Sequence, residues 1–194
     1  MTENNINYKK ASEYWAEIPA TLDDNAPSPG TALDCGAGIG RITKHLLAPL
    51  FKKVDIIEPD EKFINTIIGF VGENKIKIGT LYKTSLQKFE PERKYDIIWN
   101  QWVLGYLTNT DLVDYLSCCR DALSSNGVLI VKENVASSGK PEVDETDSSV
   151  TRPLKQFLKI FRQAKLKRIK QCRQTNFPAG IYPVYMFALI PIDR

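Results

Sequence analysis

The stretch ALDCGAGIGR (residues 32–41) decides the fold of this 194-residue chain. A short apolar run ends in glycines at alternate positions, 36, 38 and 40, and an amphipathic segment follows. Glycine turns with positive φ and lets the backbone come close to another group. Strand, tight turn and helix, in that order, open a parallel α/β sheet. The helix N-terminus then brings N–H groups and a partial positive charge beside the turn.

Working outward, apolar runs alternate with helical patterns. TALDC (31–35), VDIIE (54–58), IKIGT (76–80), YDIIWNQW (95–102) and GVLIVKE (127–133) read as strands. RITKHLLAPLF (41–51), EKFINTIIGFVG (61–72), LVDYLSCCRDAL (112–123) and LKQFLKIFRQA (154–164) read as helices. Two last strands, near 166–173 and 183–190, are close enough in sequence to pair antiparallel at an edge. Strands separated by helices imply right-handed crossovers and a sheet covered on both faces. The expected fold is a doubly wound α/β domain, with a mostly parallel sheet of about seven strands and an antiparallel C-terminal edge. One domain spans 1–194: an N-terminal helix (about 5–17) and the loop PATLDDNAPSPG (19–30), then the core from 31 onward.

Composition narrows the function. The 26 Lys and Arg against 23 Asp and Glu leave a net charge of +3, too small to argue for nucleic acid. No apolar run reaches the roughly 20 residues of a membrane span, and the polar start MTENNINYKK lacks a secretory core. The four cysteines show no metal or disulfide spacing and read as reduced thiols. The basic run KLKRIKQCR (165–173) reads as a solvated face, and His45 as a surface residue.

In such sheets a ligand sits beyond the carboxyl ends of the strands. Gly36-Ala37-Gly38-Ile39-Gly40 is GxGxG, whereas a dinucleotide fingerprint would be GxGxxG. Asp34, two residues before the first glycine, is an unusual neighbour for a pyrophosphate. Glu58 ends the second strand, where a carboxylate takes two ribose hydroxyls. A ribose without a pyrophosphate suits S-adenosylmethionine: Arg41 would pair with its carboxylate, and Asp34 would reach its ammonium, directly or through water. Gly36, Gly38 and Arg41 on the first loop, with Glu58, Pro59 and Asp60 on the second, form the expected cofactor set. Each also has a plainer reading: a tight turn, a solvated strand end, Asp34 capping the next helix.

ALDCGAGIGRITK (32–44), IWNQWVLGYLT (98–108), VKEN (131–134) and VDETDSSVTR (143–152) resemble the α-N-terminal protein methyltransferases. That family methylates the terminal amine of proteins beginning Xaa-Pro-Lys, after removal of the initiator methionine. The likeness runs from Tyr14-Trp15 to IYPVYMFAL (181–189). The glycine loop is general to class I methyltransferases, while QWVxG joined to DSSV is far more specific. The resemblance implies further cofactor contacts from Leu86, Gln87 and Gln101. It also implies that Trp102 packs on the substrate's second-position proline, where a flat indole gives contact area at low entropic cost. Trp15, with Tyr14, and Tyr182 would shape the peptide channel. Asn134 would accept a hydrogen bond from the amine, and Asp147 would be its proton acceptor. Asp144 and Ser149 would bind the third-position lysine. Read without the resemblance, Trp102 is a core residue, Asn134 a turn residue, and Asp147 or Ser149 a cap for the helix near 150–164.

The resemblance also implies no metal, a monomer, and residence in nucleus and cytoplasm. Two departures stand out. Tyr106 occupies the place of a family histidine thought to assist proton handling, so it enters the site as a hydrogen-bond partner with a pKa near 10. The stretch between Trp15 and ALDCG is shorter than the family's, which implies a more open channel, weaker peptide affinity or another substrate. Two alternatives therefore stay open: a cofactor-binding inactive relative that holds N-terminal tails, or a methyltransferase with a different amine acceptor.

Overall fold

The computed structural model describes residues 30–175 and 180–194. Its centre is a seven-stranded sheet in the order β3-β2-β1-β4-β5-β9-β8. The strands are β1 (Thr31–Cys35), β2 (Lys53–Ile57), β3 (Ile78–Tyr82), β4 (Tyr95–Gln101), β5 (Leu123–Asn134), β8 (Leu166–Arg173) and β9 (Val184–Pro191). The first five run parallel; β9 lies antiparallel to β5 and carries β8 at the edge. The doubly wound sheet with an antiparallel C-terminal edge is as the sequence pattern requires.

Period-2 alternation sorts each strand's side chains between two cores. Ala32, Val54, Ile56, Trp99 and Ile130 join one cluster. It is closed by α1, a π-helical turn Thr43–Leu47 running into Ala48–Leu50, and by α2 (Glu61–Val71). Leu33, Ile98, Leu129, Val131 and Phe187 join the other, closed by α3 (Asn109–Asp121) and α4 (Leu154–Gln163).

Several boundaries differ from expectation. β3 falls two residues later than IKIGT, because Gly72–Lys77 forms a 3-10 helix first. α3 begins at Asn109 rather than 112: Thr108 caps it, its side chain accepting the Asp111 N–H. A hairpin outside the sheet, β6 (Glu142–Asp144) with β7 (Ser149–Thr151), was not legible in EVDETDSSVTR. This overturns the capping role for Asp147 and Ser149. α4 has Pro153 at its N-cap, with no side-chain cap bond, and both residues belong to the hairpin. The expected helix at 5–17 lies outside the described residues.

Candidate active site

The carboxyl ends of β1, β2, β4 and β5 meet at one edge of the sheet, and the expected site residues fall there in two groups. The first surrounds the glycine loop. Each glycine has a different neighbour. A Cβ on Gly36 (φ 68°) would come within 2.4 Å of Val103 Cγ2, a residue of the turn after β4. A Cβ on Gly40 (φ 86°) would press on Val71 at 3.3 Å and Ile67 at 3.4 Å of α2. A Cβ on Gly38 (φ 56°) meets nothing within 4 Å. The loop is therefore held close at both ends by the protein and open only at its middle glycine.

The loop's amides are already engaged. Gly36 N–H and Ala37 N–H donate to Ile57 O (2.9 and 3.2 Å), and Gly40 N–H to Ala37 O (2.9 Å). Gly38 N–H donates to Glu58 Oε2 (2.8 Å), and Asp60 N–H to Glu58 Oε1 (3.0 Å). The Thr43 amide and hydroxyl both donate to Asp34 Oδ2 (3.0 and 2.6 Å). Asp34 thus holds the first turn of the following helix through Oδ2, as its plainer reading has it. Its burial pushes its carboxyl up to about 6. A carboxylate of the protein already fills the anion position at this helix N-terminus, which leaves little for a pyrophosphate. Glu58 is a different matter: it is buried, and each oxygen that accepts one amide keeps a second lone pair. A ribose diol fits those two lone pairs, and the open face at Gly38 admits it. Pro59 and Asp60 are exposed beside Glu58, and Asp60 caps α2 through the Lys62 N–H (2.8 Å). Arg41 is exposed where α1 begins. Gln101 ends β4, and its Oε1 accepts Trp99 Nε1–H (3.2 Å). Leu86 is buried in the core that also holds Cys35 and Ile57, with Gln87 exposed next to it. These residues fit S-adenosylmethionine: a carboxylate for the ribose, an open glycine, and no array of free amides for phosphates.

The second group lines a cleft of about 1000 Å³. Trp102, Tyr106, Asn134, Asp147, Ser149 and Tyr182 all line it. Trp102 sits at φ 53°, unusual for a residue with a Cβ. Its backbone N–H donates to Lys132 O (3.1 Å), and the Lys132 ammonium lies 5.2 Å from its ring centroid. Burial pulls Lys132 down to about 8. Tyr106 OH donates to Asp147 Oδ2 (2.9 Å) and Ser149 N–H to Asp147 Oδ1 (3.0 Å). The Ser149 and Tyr106 bonds hold the Asp147 carboxyl below its usual range. Asp144 lies on the hairpin strand, paired with Ser149, outside the lining of the cleft. Tyr182 OH donates to Glu142 Oε2 (2.6 Å). Tyr14 and Trp15 lie outside the described residues.

Three residues hold this half together without having been singled out in the sequence. Glu133 Oε1 accepts the amides of Val103 (2.8 Å) and Leu104 (2.9 Å), fixing the turn that carries Trp102. Burial raises the Glu133 carboxyl to about 7, against the pull of the Leu104 and Val103 amides and, less, of Arg152. Arg152 is itself 1% exposed; it donates to Leu104 O (2.9 Å), Leu107 O and Asn109 Oδ1 (2.9 Å). Lys132 braces the indole. A lysine and a glutamate ending the apolar run GVLIVKE were the available signal.

A family model for AdoMet-dependent proline di-methyltransferases matches residues 24–190. Alpha N-terminal protein methyltransferase 1 of Drosophila melanogaster is 38% identical, over 96% of this chain and 77% of its own length. N-terminal Xaa-Pro-Lys N-methyltransferase 1 of Homo sapiens is also 38% identical, over 94% of each chain. The Drosophila match runs over 213 residues, longer than this chain's 194, so that relative carries residues absent here within the matched span. Among solved structures, a SAM-dependent methyltransferase of Leishmania major superposes with a TM-score of 0.85 at 31% identity, over 94% of this chain and 70% of its own. A glycopeptide N-methyltransferase with bound S-adenosylmethionine shares the fold (TM-score 0.74) at 14% identity, over 98% of this chain and 89% of its own.

Proposed function

This chain belongs to the AdoMet-dependent proline di-methyltransferase family and is an S-adenosylmethionine-dependent methyltransferase; on that footing we propose that it methylates the α-amine of proteins beginning Xaa-Pro-Lys. The names of the Drosophila and human relatives support this acceptor. The observation that carries it is the cleft at the ends of β4 and β5, where Trp102, Asn134 and Asp147 share one wall system beside the glycine loop.

When bound, the cofactor would supply a sulfonium methyl for an amine lone pair to attack, with the thioether as leaving group. The chain's own residues do the rest. Glu58 and Gly38 hold the cofactor's ribose, and Gln101 its amino acid end. Trp102 presents its indole to the second-position proline. Asn134 accepts a hydrogen bond from the amine through its carbonyl oxygen and aims the nitrogen. Asp147, ionised across the neutral range and braced by Tyr106, holds the incoming ammonium. Asp144 and Ser149 meet the third-position lysine. A free α-amine, with a pKa of about 7.7–8.0, is roughly one-fifth neutral near pH 7.2, but beside the anionic Asp147 its charged form is favoured, so the site needs orientation first and a proton acceptor second. The same reading has the protein acting as a monomer in nucleus and cytoplasm, on protein tails rather than nucleic acid or membrane. Among the described residues no helix is long and apolar enough to cross a membrane.

The test is mass spectrometry of a peptide beginning Ser-Pro-Lys, incubated with the protein and S-adenosylmethionine. One to three added methyl groups, lost when the amine is acetylated, are expected. Cofactor binding by calorimetry with no methyl gain would overturn the acceptor.

A further inference from the structure

Two carboxylates line the cleft, and the structure gives them opposite environments. Asp147 is exposed, and two hydrogen bonds draw its pKa below the ordinary aspartate value. Such a group attracts a cation well and takes a proton from it reluctantly. Glu133 is 6% exposed on the inner wall, adjacent in sequence to Asn134 and lining the same cleft. Both amides that it accepts, Val103 and Leu104, go to Oε1. Among the described residues no hydrogen bond goes to Oε2, on a residue that lines the cleft.

We infer that Glu133, through Oε2, is the group that receives the proton the substrate α-ammonium must lose before methyl transfer, with Asp147 serving as the ammonium's electrostatic anchor. This rests on the N-terminal methyltransferase reading above and names the acid–base group of that site. The neighbours support it. Arg152, at the end of β7, is engaged by the carbonyls of Leu104 and Leu107 and by Asn109, with no ion pair to Glu133 within 4.0 Å among the described residues. Its charge lowers the glutamate's pKa without occupying the oxygen. Tyr106, from the turn after β4, is neutral and bonded to Asp147. Lys132, next in the strand, has its ammonium over the Trp102 ring. The net effect of burial against the Leu104 and Val103 amides and, less, Arg152 brings Glu133 to about 7, near the amine's own pKa, where proton exchange between the two is close to balanced. Tyr106, standing in the place of the family histidine, cannot do this: its own pKa moves up, through its bond to Asp147.

The step balances. The ammonium proton moves to Oε2, leaving a lone pair on nitrogen. That lone pair forms the N–C bond while the C–S bond breaks, its electrons staying on sulfur. The new methylammonium gives up its own proton before another methyl is added. Glu133 returns its proton to solvent through the open cleft between steps.

The experiment uses Glu133→Gln, which keeps an oxygen to accept the two amides and removes the titration. Wild type must first methylate the Ser-Pro-Lys peptide; failure there sinks the acceptor reading and leaves the proton question to calorimetry. Near pH 7.2 the variant's kcat is expected to fall about 30- to 100-fold, with peptide KM within about threefold. The sign follows from the acceptor acting ionised. Wild-type kcat falls as pH drops through the glutamate's pKa, while Glu133→Gln loses that break. The variant recovers toward wild type above about pH 9, where the amine is neutral unaided. The cofactor-free readout is calorimetry of peptide binding in buffers of different ionisation enthalpy. Wild type at pH 7 is expected to release a few tenths of a proton, as the ammonium drives the half-protonated glutamate to ionise. Glu133→Gln and an N-acetylated peptide release none. Glu133→Asp, which keeps a carboxylate, retains the pH break at a reduced rate. A rate ratio constant across pH, or equal proton release by wild type and Glu133→Gln, would overturn the inference.

Discussion

Around the ends of β1 and β2, carboxylates are tied by backbone 2 to 20 residues away: Asp34 by Thr43, Glu58 by Asp60 and Gly38. Around the ends of β4 and β5 the bonds span 29 to 48 residues, from Glu133 to Val103 and Leu104, and from Arg152 to Leu104 and Leu107. One half of the crevice is a local construction and the other a tertiary one. The comparison teaches where each can fail. The cofactor half fails when a loop loses its shape. The peptide half fails when a distant buried charge is removed, because the turn bearing Trp102 has little of its own to hold it.

Arg152→Ala is the strongest way to break the peptide half. It leaves Glu133 buried without its counter-charge and three oxygens without their donor, so a loss of about 3–5 kcal/mol is expected. Chemical denaturation checks this; a loss under about 1 kcal/mol would make Arg152 a bystander. Next come paired changes in the glycine loop. Gly36→Ala adds a methyl at 2.4 Å from Val103 as well as left-handed strain, and about 2–4 kcal/mol plus loss of measurable cofactor binding is expected. Gly38→Ala faces open space in the free protein, so only about 1–2 kcal/mol of strain is expected, with cofactor affinity falling more than stability. Equal stability losses would mean that the two glycines do the same work.

Glu58→Gln separates the halves functionally. Cofactor affinity is expected to weaken about 10- to 100-fold, with peptide affinity little changed, as calorimetry of each ligand alone would read. Parallel weakening would join the two sites into one. The smallest effect is expected from Tyr106→Phe. It removes one solvent-exposed hydrogen bond to Asp147, so kcat/KM should fall less than about fivefold. A larger loss would return the missing histidine's role to this tyrosine.

The sites differed in legibility for the same reason. GxGxG, Glu58 and the strand before each could be read because their partners lie within a few residues of a strand end. Trp102, Asn134 and Asp147 came from likeness to a family, since nothing local marks an indole or an amide as facing a cleft. Glu133 and Arg152 were passed over. A charged residue ending an apolar strand looks like a solvated end until the chain's return shows it buried. The loop glycines also differ from one another in what they approach. The group closest to Gly36 is Val103, not a ligand, and only Gly38 is left open.

Sequence alone determined the alternation of strands and helices, the parallel sheet with its antiparallel edge, and the cofactor class. Each follows from periodicity and from turn chemistry, which act over a few residues. Tertiary structure decided the hairpin at 142–151, the engagement of Asp34 by Thr43, and the two environments of the cleft's carboxylates. The hairpin and the Asp34 bonds join residues within nine positions of each other, but through side-chain placement that periodicity does not mark; the two carboxylate environments depend on burial and on partners 29 to 41 residues away, and a carboxylate's pKa is set by what surrounds it rather than by its place in the sequence.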